Sequence, residues 1–233
     1  LNGKEKTPQN SDNSGSGSQS STAARASDQG PFRDIPNLPY DFESGSELLF
    51  ADNFAAETVG RMARRWTSNG TGTVTELEGF AGKWLKLYDA NTYKIKELLR
   101  LPENFTLEFD VVALAETTKN IALDFGFDYE KGVGSHYYLA DKNPVNMEAS
   151  YRFDKFEFTS NEMSPRKKSE IKANMSYFIN DVMHVKMRIE GDRISAYVND
   201  TKILDTEMVN PVSKKYFYIA VENEKNQAEV YLG

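Results

Sequence analysis

Glu108 and Asp110, in the run Glu108-Phe109-Asp110, share one face of any strand that carries them. Paired carboxyls are what glycoside hydrolysis requires, one as nucleophile or base and one as acid. A strand-borne set in the order Glu-x-Asp-x-(x)-Glu needs a third carboxylate. Here Val111-Val112-Ala113 follows, and the next acid, Glu116, lies too far along. Glu108 and Asp110 therefore read as the solvent side of a core strand. The two histidines, His136 and His184, are too few for a three-histidine zinc site, and no His-Glu-x-x-His is present. His184 alternates with apolar residues and reads as a surface strand position. Gly132-Val133-Gly134-Ser135 lacks the rest of a phosphate-cradling fingerprint, and no Gly-x-Ser-x-Gly elbow occurs. With no cysteine, thiol catalysis, disulfides and thiolate-held metals are excluded together.

Binding chemistry is better supplied. Sugars stack their C–H faces on exposed rings and are fixed by amide and carboxylate hydrogen bonds. The chain has 12 Tyr and 2 Trp, with aromatic clusters at Tyr88/Tyr93, at Tyr137/Tyr138 and in Tyr151–Phe158. His136, Tyr137, Tyr138, Tyr151 and Arg152 are the candidate ligand-binding residues. Adjacent strand residues face opposite ways, so Tyr137 or Tyr138 must point out of its sheet. The competing reading is core or cross-strand packing, which is expected for Trp66 and Trp84. Asp124, Asp128, Asp141 and Asn143 are candidate Ca²⁺ ligands, although their spacing marks no calcium loop and solvated acidic turns account for them as well. No cofactor is required; Ca²⁺ is compatible.

Such residues need elements to hold them, and after residue 45 the dominant period is two. Phe105, Leu107, Phe109 and Val111 alternate with Thr106, Glu108 and Asp110. Ile121, Leu123, Phe125 and Phe127 form one face, as do Met183, Val185, Met187 and Ile189. This is the half-buried strand pattern. Similar runs occur at 72–78, 83–88, 92–97, 135–140, 148–153, 155–160, 193–198, 201–205, 216–222 and 227–232. Helical periodicity is confined to a turn or two in 52–62 and in 207–215. Many short strands without intervening helices predict an all-β fold, two antiparallel sheets packed as a jelly-roll sandwich. No repeat of 20–50 residues is found, so a propeller or solenoid is not expected.

Composition sets the boundaries. Seven Ser and three Gly lie between Ser11 and Gly30, and no aromatic precedes Phe32. Residues 1–38 read as a flexible tether and 39–233 as the sandwich domain. The net charge of −7 disfavours nucleic acid as a partner. The compact basic cluster Arg166-Lys167-Lys168 reads as a solvated loop. No apolar run approaches the length of a transmembrane segment. The chain begins at Leu1 without Met, which suggests removal of an upstream leader and an exported or lipid-anchored protein.

Three segments carry a resemblance: Tyr40–Phe54, Arg64–Asp89 and Leu99–Ala113. An Asp-x-Phe (Asp52, Phe54) leads to Trp66, then to Lys83-Trp84-Leu85 and to a strand with Pro102 and Phe105. This pattern resembles the laminin-G/concanavalin-A-like sandwich of OmpA-family envelope proteins of Bacteroidetes. The resemblance implies a concanavalin A-like lectin/glucanase fold and a cell-envelope setting, periplasmic or outer-membrane associated. It also implies a peptidoglycan-binding domain after Ala228–Gly233 in the longer protein. It assigns no ligand. The expected function is a non-catalytic lectin-like module that binds glycan or a protein partner. A glycoside hydrolase-like enzyme and an architectural spacer are the alternatives.

The stretch Ile189–Thr206 contains Asn199-Asp200-Thr201, one of four glycosylation-type triplets, with others at Asn69, Asn104 and Asn174. Chance alone predicts about 2.5 in a chain of this composition, so four mark no acceptor site. Ile194, Ala196 and Val198 alternate before the triplet and Ile203 follows it. Asn and Asp tolerate the positive φ of a tight turn, so this stretch predicts a hairpin at the sandwich edge.

Overall fold

The computed structural model describes residues 30–161, 166–209, 216–223 and 227–233. In chain order the strands are β1 (Trp66–Ser68), β2 (Gly72–Leu77), β3 (Phe80–Leu87), β4 (Asn91–Ile95), β5 (Asn104–Leu114), β6 (Ile121–Asp128) and β7 (Val145–Ser150). They continue as β8 (Lys155–Ser160), β9 (Lys167–Lys172), β10 (Val182–Glu190), β11 (Arg193–Val198), β12 (Thr201–Glu207), β13 (Tyr216–Asn223) and β14 (Glu229–Leu232). They form two seven-stranded antiparallel sheets. The first runs β1-β4-β13-β6-β7-β8-β9 and the second β12-β11-β10-β5-β14-β3-β2. The expected all-β jelly-roll sandwich is the architecture found.

The alternating runs explain why the sheets pack. Leu123, Phe125 and Phe127 of β6 and Val185, Met187 and Ile189 of β10 are buried between the sheets, as their period predicts. Phe109 of β5 crosses the gap to meet Phe125 at 5.2 Å and Phe217 at 5.5 Å, and Phe105 meets Phe127 at 5.3 Å. Edge-to-face and tilted ring pairs of this kind add specificity to apolar burial. The Asp52-x-Phe54 pattern closes one end of the core. Asp52 accepts hydrogen bonds from the Phe54 N–H (3.0 Å) and the Trp66 indole N–H (3.1 Å). Trp66 is buried in the main core, and Trp84 is buried with Val112 and Tyr231 on the far side of the second sheet.

Several sequence expectations change. Residues 135–140 are not a strand: His136–Tyr138 is a 3-10 turn leading into the short helix α1 (Leu139–Lys142). The run 148–153 leaves the sheet after Ser150 and turns as a 3-10 segment, Tyr151–Phe153. Residues 52–62 form turns and bends without helix. Residues 210–215 of the expected helical turn at 207–215 lie outside the described residues; Glu207 ends β12. The basic cluster is not a loop, because Lys167 and Lys168 open the edge strand β9. Charged side chains on an edge strand discourage pairing with another chain. Phe32 bridges to Ala173 and its ring meets Phe156 and Phe178, so packing against the sandwich begins ahead of residue 39.

The hairpin expectation is met. β11 and β12 pair through Val198↔Thr201, Asn199 adopts φ +51°, and β12 is an edge strand.

Candidate functional site

The outer face of the first sheet collects polar residues. Inward positions of β6, β7 and β8 are apolar, so the alternate positions turn outward. Register then lines them up across the strands: Asp124 opposes Glu148, Glu148 opposes Glu157, and Glu157 opposes Glu170. Four carboxylates therefore stand in one cross-strand row. Like charges directly opposite repel, so the row must be relieved. Lys155 and Lys168 clamp Glu157 at 2.7 and 2.8 Å, and Lys155 also reaches Glu170 at 3.0 Å. Among the described residues no cation pairs with Asp124, which accepts from the Asn146 amide. Burial pushes its carboxyl up to about 7, against the pull of the Asn146 amide hydrogen bond; the charges of Glu148, Glu222 and Glu157 push the same way. Arg152 stands beside this row and holds Glu222 through two bonds of 2.8 and 2.9 Å.

One row along, Tyr218, Gly126 and Asn146 lie side by side. With no side chain at Gly126, the Tyr218 hydroxyl reaches across β6 and donates to the Asn146 side-chain Oδ1, while the Asn146 side-chain amide donates to Asp124 at 2.9 Å. A Cβ at Gly126 would sit 2.0 Å from the Val145 carbonyl oxygen, so β6 and β7 approach more closely than any other residue allows.

A strap formed by residues 129–144 crosses this face. Leu139 packs on Tyr218 and Ala220 of β13. The strap begins at a buried ion pair. Lys94 donates to Asp128 at 2.8 Å and to the carbonyls of Glu130 and Gly132, each at 2.7 Å. It ends where Asn161 and Thr159 bond the Ala140 carbonyl. Beneath it, the Thr92 hydroxyl and His136 Nε2 are buried without a hydrogen-bond partner among the described residues, and the Asn143 side chain lies against the Tyr218 hydroxyl.

The sequence candidates are distributed as follows. Tyr137 is 72% exposed on the strap, stacked on His136 at 3.9 Å, while His136 turns inward. Both Tyr137 and Tyr138 belong to a 3-10 turn, so strand alternation does not orient them. Tyr151 is 1% exposed in the core, and among the described residues its hydroxyl meets only Met183 Sδ, at 4.0 Å. The 3-10 turn after β7 rotates it inward and leaves Arg152 and Phe153 outside. The four candidate calcium ligands do not converge. Asp128 is committed to Lys94 and Lys142, Asp141 is exposed toward Arg166, Asp124 binds Asn146, and Asn143 lies beside Tyr218. That arrangement does not fit a calcium ion. Among the described residues, no group of three or more acidic or histidine side chains gathers as a metal site.

Sequence reading overlooked Thr92, Asn146, Glu148, Glu157 and Tyr218. Their only signal was a polar or hydroxyl-bearing residue at every second position. Which strands lie side by side could not be inferred from that.

The second sheet has its own outer features. Glu108, Asp110, His184, Lys186, Asn199 and Asp200 line a depression of about 520 Å³. His184 and Asp110 both face solvent, as their alternation indicates, with Nδ1 2.5 Å from the Asp110 carboxylate. Beside it, residues 40–45 cross β10 and β11. Asp41 accepts from Tyr197 (2.8 Å), Arg188 (3.0 Å) and Lys202 (3.2 Å). The cause of Lys202's position is a register shift between Ala196 and Tyr197, which leaves Ile203 as an extra residue and turns Lys202 toward Tyr197. Among the described residues, no helix is long and apolar enough to cross a membrane.

Two seven-stranded antiparallel sheets packed face to face define a jelly-roll sandwich. No family model and no curated protein matches the sequence. Among solved structures the chain is similar to the Emp47p carbohydrate recognition domain, with 10% identity, TM-score 0.53, and coverage of 77% of this chain and 90% of that one. It is similar to a legume lectin-like domain from Entamoeba histolytica, with 10% identity, TM-score 0.52, and coverage of 73% and 89%. The metal-free Emp46p carbohydrate recognition domain aligns with 10% identity, TM-score 0.51, and coverage of 72% and 87%. These likenesses establish the concanavalin A-like fold.

Proposed function

We propose that this chain is a non-catalytic lectin-like module of a cell-envelope protein that binds glycan on the outer face of its first sheet. The observation that carries the reading is the row Asp124–Glu148–Glu157 beside the Asn146 amide. Exposed rings, Tyr137 on the strap and Phe153 after β7, flank it. Directional hydrogen-bonding groups between aromatic platforms suit a polyhydroxylated ligand. The carbohydrate recognition and legume lectin-like domains with the same fold support it. The envelope setting rests on the resemblance of residues 40–113 and on the Ser/Gly-rich N-terminal segment, and a following peptidoglycan-binding domain belongs to the same proposal. A glycan array probed with the 233-residue chain, in added Ca²⁺ and in EDTA, tests it. Bound glycan that is lost in Arg152→Ala supports the reading; no bound glycan in either condition overturns it.

One observation favours a second reading. Asp124 and Glu148 are directly opposed, and Cβ atoms so placed lie roughly 4.5–5.5 Å apart. Retaining glycosidases place their carboxyls about 5–5.5 Å apart and keep one protonated, as the raised Asp124 would be. Release of reducing ends from a polysaccharide, abolished by Glu148→Gln, would establish the glycoside hydrolase-like alternative. Absence of both binding and turnover leaves the architectural spacer.

A further inference from the structure

Residues 40–45 lie on the outer face of the second sheet as a bound peptide would. The Asp41 carboxylate accepts from the Tyr197 hydroxyl and from Arg188 and Lys202, and Arg188 also donates to the Asp41 carbonyl at 2.8 Å. Two cations and a phenol converging on one carboxylate make a directional socket. The rings on either side are seated too. Tyr40 and Phe42 meet Tyr197 edge-on at 5.5 and 5.2 Å, and the Lys186 ammonium lies 5.6 and 5.2 Å from their centroids. Every group of this socket comes from β10, β11 or β12. Tyr197 and Lys202 are buried, while the segment over them is exposed at every residue except Phe42.

The segment is not part of the sheet. Among the described residues, no backbone-to-backbone hydrogen bond joins 40–45 to a strand. Beyond the socket it is held by side chains: Lys186 to the Tyr40 hydroxyl at 2.9 Å, Ser44 to Glu108 at 2.6 Å and the Gly45 N–H to Thr106 at 3.0 Å. Exposed segments held in this way open locally at lower cost than a paired strand. The socket tolerates such an opening. Arg188 keeps Glu190 at 3.2 Å and Lys202 keeps Asp205 at 2.7 Å, so neither cation is left uncompensated. Lys186 and Glu108, which hold the segment, also line the open depression of about 520 Å³ beside it. An occupant of that depression competes for the contacts that keep 40–45 in place, and the depression gives it room beyond the socket.

We propose that this face is a peptide-binding groove which the chain fills with its own residues 40–45, and that the partner it fits is a protein segment with a carboxylate between two aromatic residues. Such a segment takes the place of Tyr40-Asp41-Phe42 and runs on toward His184 and Asn199. The chain's own segment is a tethered competitor, with an effective concentration on the order of millimolar. It lowers the apparent affinity for any partner by the fraction of time the groove stands open. The groove lies on the opposite sheet from the carboxylate row, so it stands or falls apart from glycan binding there.

The probe is a fluorescein-labelled peptide of residues 38–46, with a second peptide carrying Asp41→Asn, and binding is read by anisotropy. The 233-residue chain is compared with Tyr40→Ala/Asp41→Ala/Phe42→Ala, which strips the occupant of its anchors, and with that triple variant carrying Arg188→Gln as well. The triple variant should bind the first peptide roughly tenfold or more tightly than the natural chain does. Arg188→Gln should abolish that gain, and Asp41→Asn in the peptide should weaken binding by roughly tenfold or more. Melting temperatures establish that each variant is folded. Displacement is also read on the natural chain, where no variant has to fold: excess peptide should quicken amide exchange over 40–45 and leave β10 slow. No gain in a folded triple variant overturns the proposal, and so does equal binding of the two peptides. Unchanged exchange over 40–45 in excess peptide overturns it too, because the peptide then binds elsewhere. Glucuronate that displaces the peptide at equal or lower concentration makes the socket a site for sugar acids and overturns the peptide assignment.

Discussion

Asp124 on β6 and Glu148 on β7 stand directly opposite each other on the outer face of the first sheet. Burial, with Glu148 among the neighbouring charges, raises the Asp124 carboxyl from the ordinary 3.8 to about 7. The folded chain then holds a proton between about pH 4 and 7 that the unfolded chain has released. Stability must fall as pH rises through that window and level off above it. Asp124→Asn removes the effect, so the variant should gain on the natural chain by on the order of 3 kcal/mol between pH 4 and pH 8. Urea denaturation at both pH values measures this. Parallel pH dependence for the two proteins would contradict it.

The Lys94–Asp128 pair is almost fully buried, with side chains 1% and 2% exposed. Removing one partner strands the other. Lys94→Met leaves Asp128 the Glu130 N–H at 3.0 Å and, as its cation among the described residues, Lys142 at 3.5 Å and partly exposed, and should cost about 3–5 kcal/mol. The double variant Lys94→Met/Asp128→Leu should recover most of that loss, because neither charge is then desolvated. A double variant no more stable than Lys94→Met would show that the pair contributes more than it costs to bury.

Asn199 holds the β11–β12 turn to β10 in two ways. Its φ is +51°, and its side-chain oxygen accepts from the His184 N–H at 2.9 Å while its own N–H donates to the His184 carbonyl at 2.8 Å. Asn199→Gly keeps the backbone freedom and loses the side-chain bond, a cost of about 1 kcal/mol. Asn199→Ala adds the left-handed strain, about 1–2 kcal/mol more. Thermal melts should rank natural, then Gly, then Ala.

Asp41 pins residues 40–45 to the second sheet. Burial works against its charge, but hydrogen bonds from Tyr197, Lys202 and Arg188 hold its carboxyl well below the usual carboxylate range. A depressed carboxylate stabilises above the unfolded value and loses that contribution as pH falls. Asp41 is 42% exposed, so solvent screening limits Asp41→Asn to a global cost of about 1 kcal/mol. The local effect should be larger. Amide exchange over 40–45 should quicken in Asp41→Asn at pH 7, while exchange in β10 stays slow. Unchanged protection over 40–45 would mean that the rings of Tyr40 and Phe42 against Tyr197 suffice.

Much of the fold was legible in the order of residues. Alternation in 105–111, 121–127 and 183–189 specified strands and their buried faces, because a pleated strand sends every second side chain the same way. Asn199-Asp200 marked a turn because few residues tolerate positive φ. Local signals failed where tertiary contacts set the conformation. Residues 135–140 alternate like a strand, yet β13 already pairs with β4 and β6, and the segment instead lies over the face with Leu139 turned inward. Lys167 and Lys168 read as a loop by charge, but β8 offered an open edge and Glu157 an opposing carboxylate. Arg152 and Asp124 were identified by residue type; their company was not. Asp124, Glu148 and Glu157 belong to strands joined in sequence, and Tyr218 and Thr92 come from far away in the chain, so only strand order and register could assemble them. The sequence by itself determined which residues are buried in the sheets and which turn outward, because that follows from a period of two. The tertiary structure alone decided which outward residues share a row, which of them lose water, and so which can meet a ligand, because pairing register and the covering strap are long-range choices.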